Sequence, residues 1–513
     1  MKKFLKVIYL LIASVLTFTM LAGCFGSNSD PNTTLTVWTT SPLIDNYESV
    51  LKQYPDNTNA LLTKWVVDEF KEMHPEAELK LSDQGWGSKL NEALIRAKNS
   101  RSIPDIIAEE AYLASHQALG IIMPIADEAN LTTVVPELSD MDQAQLDPVT
   151  IDGQLYSAPV FTGVLGLYYN ENLLREYEVF RPGTSEVFIP QTFTELLEAS
   201  RMLYVNSKGT KGGTMISFVG DGSASFRALG YLRQGGAEIV DERLPDNDLN
   251  YKLAVNSKES KSVMEYLNLL GCYGLNAWQA LEDENSIYQE FYSGNAGFMV
   301  ESNYLLYQLR FTAANKPYSH IKYTALPSCD INGKTLAAYE VDSQGNETKL
   351  REFTFAADAT TPPADGKNAN VFIGNLSYSF GNNDSMKNPE KFQLAVDFIR
   401  LLYSEEFQSM LLTHDGRIPV LTSVQNDIIE STADTTDYDK FIQESKFAIE
   451  SVQNDYIPGA VPSFTTNPAD VWPIWSQFFR TTVAKSSAQP TTQEAIRAAC
   501  DEAQMKMKNK LDT

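Results

Sequence analysis

The stretch "DGQLYSAPVFTGVLGLYYNENLL", residues 152–174, is a β-rich segment set between two regions in which strands and helices alternate. Before it, "LTVWTT" (35–40) reads as a β-branched and aromatic strand ending in hydroxyl residues. "NALLTKWVVDEFKEM" then places Leu62, Trp65, Val66, Phe70 and Met73 at helical spacing. "AELKLSD" is a short strand, "SKLNEALIRAKN" a helix, and "PDIIAEEAYLASHQALG" a strand running into a helix. That alternation predicts a βαβ sheet with helices on both faces. Beyond the segment a second unit begins with "TFTELLEASRML", where Thr192 and Glu195 stand in capping-box register. "GTMISFVGDGSASFRALGYLRQGGAEI" follows as strand, Gly-rich turn, helix, Gly-Gly stop and strand. One β-rich stretch thus joins two α/β units.

The chain has 513 residues, enough for two lobes at ~100–200 residues per domain. Lys2, Lys3 and Lys6 precede an apolar run from Val7 to Gly23, the layout of a secretory signal peptide. Leu21-Ala22-Gly23-Cys24 resembles the bacterial lipobox, which implies a signal peptide over 1–23, lipidation of Cys24 and a flexible tether over 24–34. No second run approaches the ~20 apolar residues of a spanning helix, so the membrane is expected to be met through the lipid alone. Net charge is −25, and −28 once the three leader lysines are gone, which repels phosphate backbones and argues against a nucleic-acid partner. Cys272, Cys329 and Cys500 are too few and too scattered for a metal knuckle or a disulfide framework. One bridge stays open, while the apolar run "SVMEYLNLLGCYG" favours a buried thiol at Cys272. Residues 328–370, rich in Asp, Gly, Lys, Asn and Thr, read as a polar hairpin or loop insertion with little buried apolar area, dispensable for binding.

Catalytic signatures are missing. His74, His116, His320 and His414 are scattered, and none has a metal-spaced partner. "SHIK" (319–322) lacks the companion elements of an S-x-x-K enzyme, and "DNDLN" (246–250) lacks the Gly and Glu of a calcium loop. "EDEN" (282–285) and "EEA" (109–111) leave a glycosidase-type acid pair open. The sequence therefore points to an exported binder with no cofactor and no metal. Its ligand would sit near the carboxyl ends of parallel strands. Trp38, Trp86 and Tyr112 fall at three such ends. Each alone reads equally well as core, but their shared position favours flat platforms for sugar rings.

Five stretches resemble the extracellular solute-binding proteins of the maltose-binding type, which serve carbohydrate ABC importers. They are "LTVW", "IPDIIAEEAYLASHQALGIIMPI", "IDGQLYSAPVFTGVLGLYYNENLL", "YQEFYSGNAGFMVESNY" and "KFQLAVDFIRLLYSEEFQSMLLTHDGRIPV". The resemblance implies an α/β fold of the type II periplasmic-binding-protein kind: two lobes, each a mixed sheet flanked by helices, joined by a hinge. Lobe one would comprise 35–160 and 376–421, and lobe two 161–375 and 422–513 with the 328–370 insertion. The ligand contacts it implies are Trp38, Thr39, Trp86, Glu110, Tyr112, Phe161, Thr162, Asp221, Ser223, Asn303, Tyr304, Asn375 and Trp472. Trp65, Trp278 and Trp475 are assigned to packing. The function implied is that of a monomeric, lipid-anchored receptor on the outer face of the cytoplasmic membrane, handing an oligosaccharide to permease subunits. A peptide or polyamine binder, a surface glycosidase and a glycan sensor are the rivals.

Overall fold

Two sheets organise the chain, and the 152–174 stretch supplies a strand to each. In the computed structural model the described residues are 33–512, apart from 86–87, 110–112, 128–129, 216–222, 241–251, 281–283, 313–317, 364–375, 434, 455–467 and 485–488. The first sheet uses β1 (Thr34–Thr39), β2 (Glu78–Asp83), β3 (Ile106–Glu109) and β4 (Ser157–Thr162). The second uses β5 (Leu165–Asn170), β6 (Gly212–Met215), β7 (Ala296–Ser302) and β8 (Ile321–Thr324). A hairpin follows, β9 (Thr335–Val341) with β10 (Glu347–Thr354). The chain then returns to the first sheet through β11 (Leu376–Gly381) and β12 (Ile418–Pro419). The order in the first sheet is β12-β4-β11-β3-β1-β2, with Ile122–Met123 pairing alongside β11, and in the second β6-β7-β5-β8.

Both sheets are mixed. β1 runs parallel to β2 and β3, while β11 is antiparallel to β3 and to β4. β6 and β7 are parallel, and β5 lies antiparallel between β7 and β8. β3, β4 and β11 are buried along their whole length, which explains their apolar or hydroxylated runs, broken in β3 only by the acid at its end, Glu109. Each sheet has its own core: Leu35, Val37, Ile107, Phe161 and Phe380 around the first, Tyr168, Phe298, Tyr266 and Trp278 around the second.

Local chemistry sets the helices. Asn57 Oδ1 caps Thr58–Met73 by accepting from Ala60 N at 2.9 Å, and Leu62, Val66 and Phe70 line the buried face. Trp65 sits on the rim of that face, half-buried, its indole N–H donating to Glu406 Oε1 at 3.1 Å. Trp278 and Trp475 are buried outright. Trp278 also explains Gly212, where an added Cβ would fall 2.2 Å from the indole. The Thr192 cap forms as expected, but the Glu195 carboxylate accepts from Gln191 N instead of closing the box on Thr192. Cys272, Cys329 and Cys500 are buried, and none of them forms a disulfide among the described residues. Among the described residues no helix is long and apolar enough to cross a membrane. Cys24 and residues 1–23, the expected signal peptide, lie outside the described residues.

The 328–370 segment corrects an expectation. It does form a hairpin, exposed or half-exposed along most of both strands, but Ala338 and Phe353 on those strands and Ile331 and Phe355 beside them are buried in the second hydrophobic cluster. Polar ties fasten it as well. Arg351 Nη1 donates to Asn268 Oδ1 and Pro490 O, Arg201 pairs with Glu347 at 2.6 Å, and the Tyr273 hydroxyl accepts from Tyr339 N. Asp330 holds the N-terminal turn of Phe193–Asn206 through Thr194. Low hydrophobic content concealed a few apolar side chains, Phe353 and Phe355 among them, enough to anchor the segment on the core.

Candidate functional site

The register of the strands places one end of each sheet beside the crossover. β1 and β3 are parallel and end at Thr39 and Glu109. β11 begins next to the end of β3, with Ser377 opposite Glu109, and β4 ends at Thr162 beyond it. One two-residue link, Gly163-Val164, then leads into β5, whose first residue Leu165 faces Ser302 at the end of β7. The carboxyl edge of the first sheet therefore adjoins that of the second. Open α/β sheets hold ligands at such edges.

On the first edge, three buried side-chain oxygens have no hydrogen-bond partner among the described residues: Thr39 Oγ1, Glu109 Oε2 and Thr162 Oγ1. The other oxygen of Glu109 is engaged, with His116 Nδ1 at 2.7 Å, and His116 Nε2 meets Asn91 Oδ1 at 2.9 Å. On the second edge a buried pair joins Arg227 to Glu301, Nε to Oε2 at 2.5 Å. Tyr288 donates its hydroxyl to the same carboxylate oxygen at 2.9 Å and lies 2.7 Å from the Tyr304 hydroxyl.

At the crossover the chain is pinned. Asn303 Oδ1 accepts from Val164 N at 2.9 Å, Asn303 N donates to Val164 O at 3.0 Å, and Asn303 Nδ2 donates to Gly416 O at 2.8 Å. Tyr323 donates its hydroxyl to Val164 O at 2.8 Å. Gly416 closes the helix Glu405–Asp415 with φ 74°, and a Cβ there would fall 2.5 Å from Tyr307 Cβ. Next to it, the Arg417 guanidinium lies 4.5 Å from the centre of the Phe161 ring and 4.9 Å from that of Tyr304. Its Nε donates to Asp415, whose carboxyl burial pushes above the usual range, against the pull of Arg417.

The residues anticipated from sequence are distributed as follows. Thr39 and Thr162 stand on the first edge. Trp38 is inside β1, not in a loop after it, and packs half-buried on the first core opposite Ser82 and Ile107. Phe161 is buried with the Arg417 guanidinium over its ring, and the same guanidinium lies over the ring of Tyr304. Asn303 spends its amide on backbone groups. Ser223 opens the helix Ser223–Gln234, and Trp472 belongs to the helix Pro468–Val483. Trp86, Glu110, Tyr112, Asp221 and Asn375 lie outside the described residues. Sequence reasoning placed none of Glu109, His116, Arg227, Tyr288 and Arg417 among the ligand contacts. A signal existed for the first, since Glu109 is an acid ending the apolar run of β3. Among the described residues no group of three His, Cys, Asp or Glu side chains could hold a metal ion.

Comparison with known proteins bears on this arrangement. Residues 65–441 match the family model described as bacterial extracellular solute-binding protein. No curated protein matches the chain. Among solved structures, the chain is similar to the maltose-bound MalE3 of T. maritima, with TM-score 0.63 and 16% identity over 92% of this chain and 99% of that one. It is similar to the cyclic alpha-maltosyl-1,6-maltose binding protein of Arthrobacter globiformis, with TM-score 0.62 and 19% identity over 93% and 98%. A solute-binding protein of an ABC transporter from Thermotoga lettingae, bound with alpha-D-tagatose, gives TM-score 0.62 and 15% identity over 93% and 100%. The fold is thus the type II periplasmic-binding-protein fold, with mixed sheets flanked by helices.

Proposed function

This chain belongs to the bacterial extracellular solute-binding proteins, and from that premise we propose that it captures an oligosaccharide between two lobes and delivers it to an ABC importer. Lobe one would comprise about 35–160 and 376–421, lobe two the remainder, with closure by rotation at the crossover. Periplasmic binding proteins are the standing example of such hinge closure, in which a few residues absorb the rotation while the lobes stay rigid. The observation that carries the reading is the adjoining pair of carboxyl edges, where Thr39, Glu109 and Thr162 end strands of the first and Ser302 ends a strand of the second. Hydroxyl-rich ligands satisfy such groups, since each hydroxyl both donates and accepts. Neighbours of the same fold, two of them bound to a sugar and one named for the sugar it binds, support the choice of ligand class. The family is one of binding proteins, so capture without turnover is the expected activity. Lipidation at Cys24 would keep the receptor beside its permease.

A thermal-shift screen of the purified full chain against maltose, maltotetraose, tagatose and a wider glycan panel tests the proposal. A sugar at 100 times its Kd stabilises by about 2.7 kcal/mol, a readable rise in melting temperature. The same samples, offered chromogenic glycosides, should release no chromophore. A shift with peptides or polyamines and none with sugars would overturn the reading.

A further inference from the structure

A cavity of about 590 Å³ lies between the helix Phe193–Asn206 and the hairpin β9–β10. None of the residues lining it ends a strand at either carboxyl edge, so it shares nothing with the site at the crossover. Small-molecule sites enclose roughly 300–1,000 Å³, and the volume falls in that range. One wall is the hairpin itself, so the cavity exists because residues 328–370 are anchored on the second core.

The apolar part of the lining is Leu197 on the helix with Leu336 and Ala337 on β9. The polar part is held rigid by one guanidinium. Arg201 Nε and Nη2 donate to the two oxygens of Glu198 at 2.8 and 2.7 Å, and Nη1 donates to those of Glu347 at 2.7 and 2.6 Å. A carboxylate of the helix is thereby tied to one of the hairpin, with the Tyr339 ring centre 5.9 Å from the guanidinium carbon. The side chains of Arg201, Glu198 and Glu347 are 26, 43 and 30% exposed, so a molecule entering the cavity reaches all three.

What these groups have left decides what they take. A carboxylate has about four lone-pair sites, and the guanidinium uses two on Glu198 and two on Glu347. Of its own five N–H donors, four are spent and the fifth has no partner among the described residues. Fixed acceptors beside a donor match neighbouring hydroxyls, each of which both donates and accepts. The apolar side chains suit the C–H groups of the same ring. An anionic ligand would meet three carboxylates, counting Glu352, and be repelled. An ammonium would find them largely compensated, since Arg201 serves Glu198 and Glu347 while Lys349 serves Glu352 at 2.9 Å. Its lost hydration would be poorly offset.

We infer that this cavity is a second carbohydrate site, taking a disaccharide-sized ligand between helix and hairpin. It stands on the cavity's own groups and does not require the crossover to bind a sugar. Saturation-transfer NMR and calorimetric titration of the full chain test it, with maltose, cellobiose and N,N′-diacetylchitobiose as probes. At least one of the three should show an event that Ala337→Leu, which fills the cavity, abolishes. Glu347→Gln, which leaves Arg201 held by Glu198, should weaken that event roughly tenfold, as for one hydrogen bond to a charged group. Neither variant should alter a sugar bound at the crossover, and melting temperatures without sugar control for folding. No event with any of the three sugars, or events that both variants leave unchanged, would overturn the inference. Loss in Ala337→Leu without any effect of Glu347→Gln would overturn it too, because the polar groups would then be idle. So would spermidine binding lost in Glu347→Gln while the sugars do not bind. Should the Ala337-dependent event persist when no sugar binds at the crossover, the reading of the crossover fails and this one stands.

Discussion

Asn303 is where sequence and structure assign one side chain two different tasks. Resemblance makes it a ligand contact, whereas in the fold its amide bridges Val164 N–H and Gly416 C=O. It is 3% exposed, so truncation would strand both backbone groups in a buried site. Each stranded group costs about 1–3 kcal/mol, giving roughly 2–6 kcal/mol for Asn303→Ala. Asn303→Asp should rescue little, because the acceptor for Val164 survives while a carboxylate oxygen opposes the Gly416 carbonyl. Urea denaturation without sugar provides the measure, followed by tryptophan emission, since Trp278 and Trp475 report on the second core. The midpoint should fall in both variants with the slope preserved, as expected when stability changes and exposed area does not. Sugar affinity should fall less than stability. Should Asn303→Ala unfold at the wild-type midpoint and lose binding tenfold or more, the brace is wrong and the side chain faces the ligand.

Three further outcomes are expected. Phe353→Ala, in the hairpin, should cost about 3–5 kcal/mol as measured by urea denaturation, since that ring is buried in the second core; a cost below about 1 kcal/mol would restore the view of 328–370 as a dispensable loop. Trp278→Ala should cost about 3–5 kcal/mol of stability with affinity unchanged, and Trp38→Ala less, because Trp38 is only half-buried; thermal melts and titration of both variants separate the two effects. Burial alone would raise the Asp105 carboxyl, but the Thr36 hydroxyl and amide and the Lys391 ammonium hold it below the ordinary 3.8. A carboxyl lowered in the native chain stabilises above the unfolded value and loses that contribution as pH falls through the native one. Asp105→Asn should therefore destabilise at pH 7 by about 3–5 kcal/mol, as for breaking a buried pair, and flatten the decline of stability below pH 4.

The fold was legible because its signals are local and redundant. Helical spacing at Leu62, Val66 and Phe70, a cap at Thr192, and continuous apolar runs in β3 and β4 each point to one element, and all are observed. The hairpin was half legible. Its turn chemistry is local, in Asp342, Gly345 and Asn346, but the value of Phe353 and Phe355 depends on a surface contributed by residues far earlier in the chain, such as Phe193 and Tyr266. Composition averages such residues away.

The site was the least legible part, for a physical reason. Side chains at a carboxyl edge are chosen by a ligand and by neighbours from distant strands, so no period marks them. Arg417 is legible only as a basic residue after a helix-ending glycine. Its partners Phe161 and Tyr304 lie 256 and 113 positions away, one in β4 of the first sheet and the other in the short helix Tyr304–Tyr307 that follows β7. That guanidinium already covers one face of each ring, so neither Phe161 nor Tyr304 presents that face to a sugar. What survives as a marker is the uncommitted buried oxygen. A folded chain satisfies its own polar groups almost everywhere. Among the described residues Thr39, Glu109 and Thr162 are unmet along a single edge, but the hydroxyls of Tyr231 and Tyr403 are equally unmet in the two cores, so an unmet oxygen marks a site only together with its place at that edge.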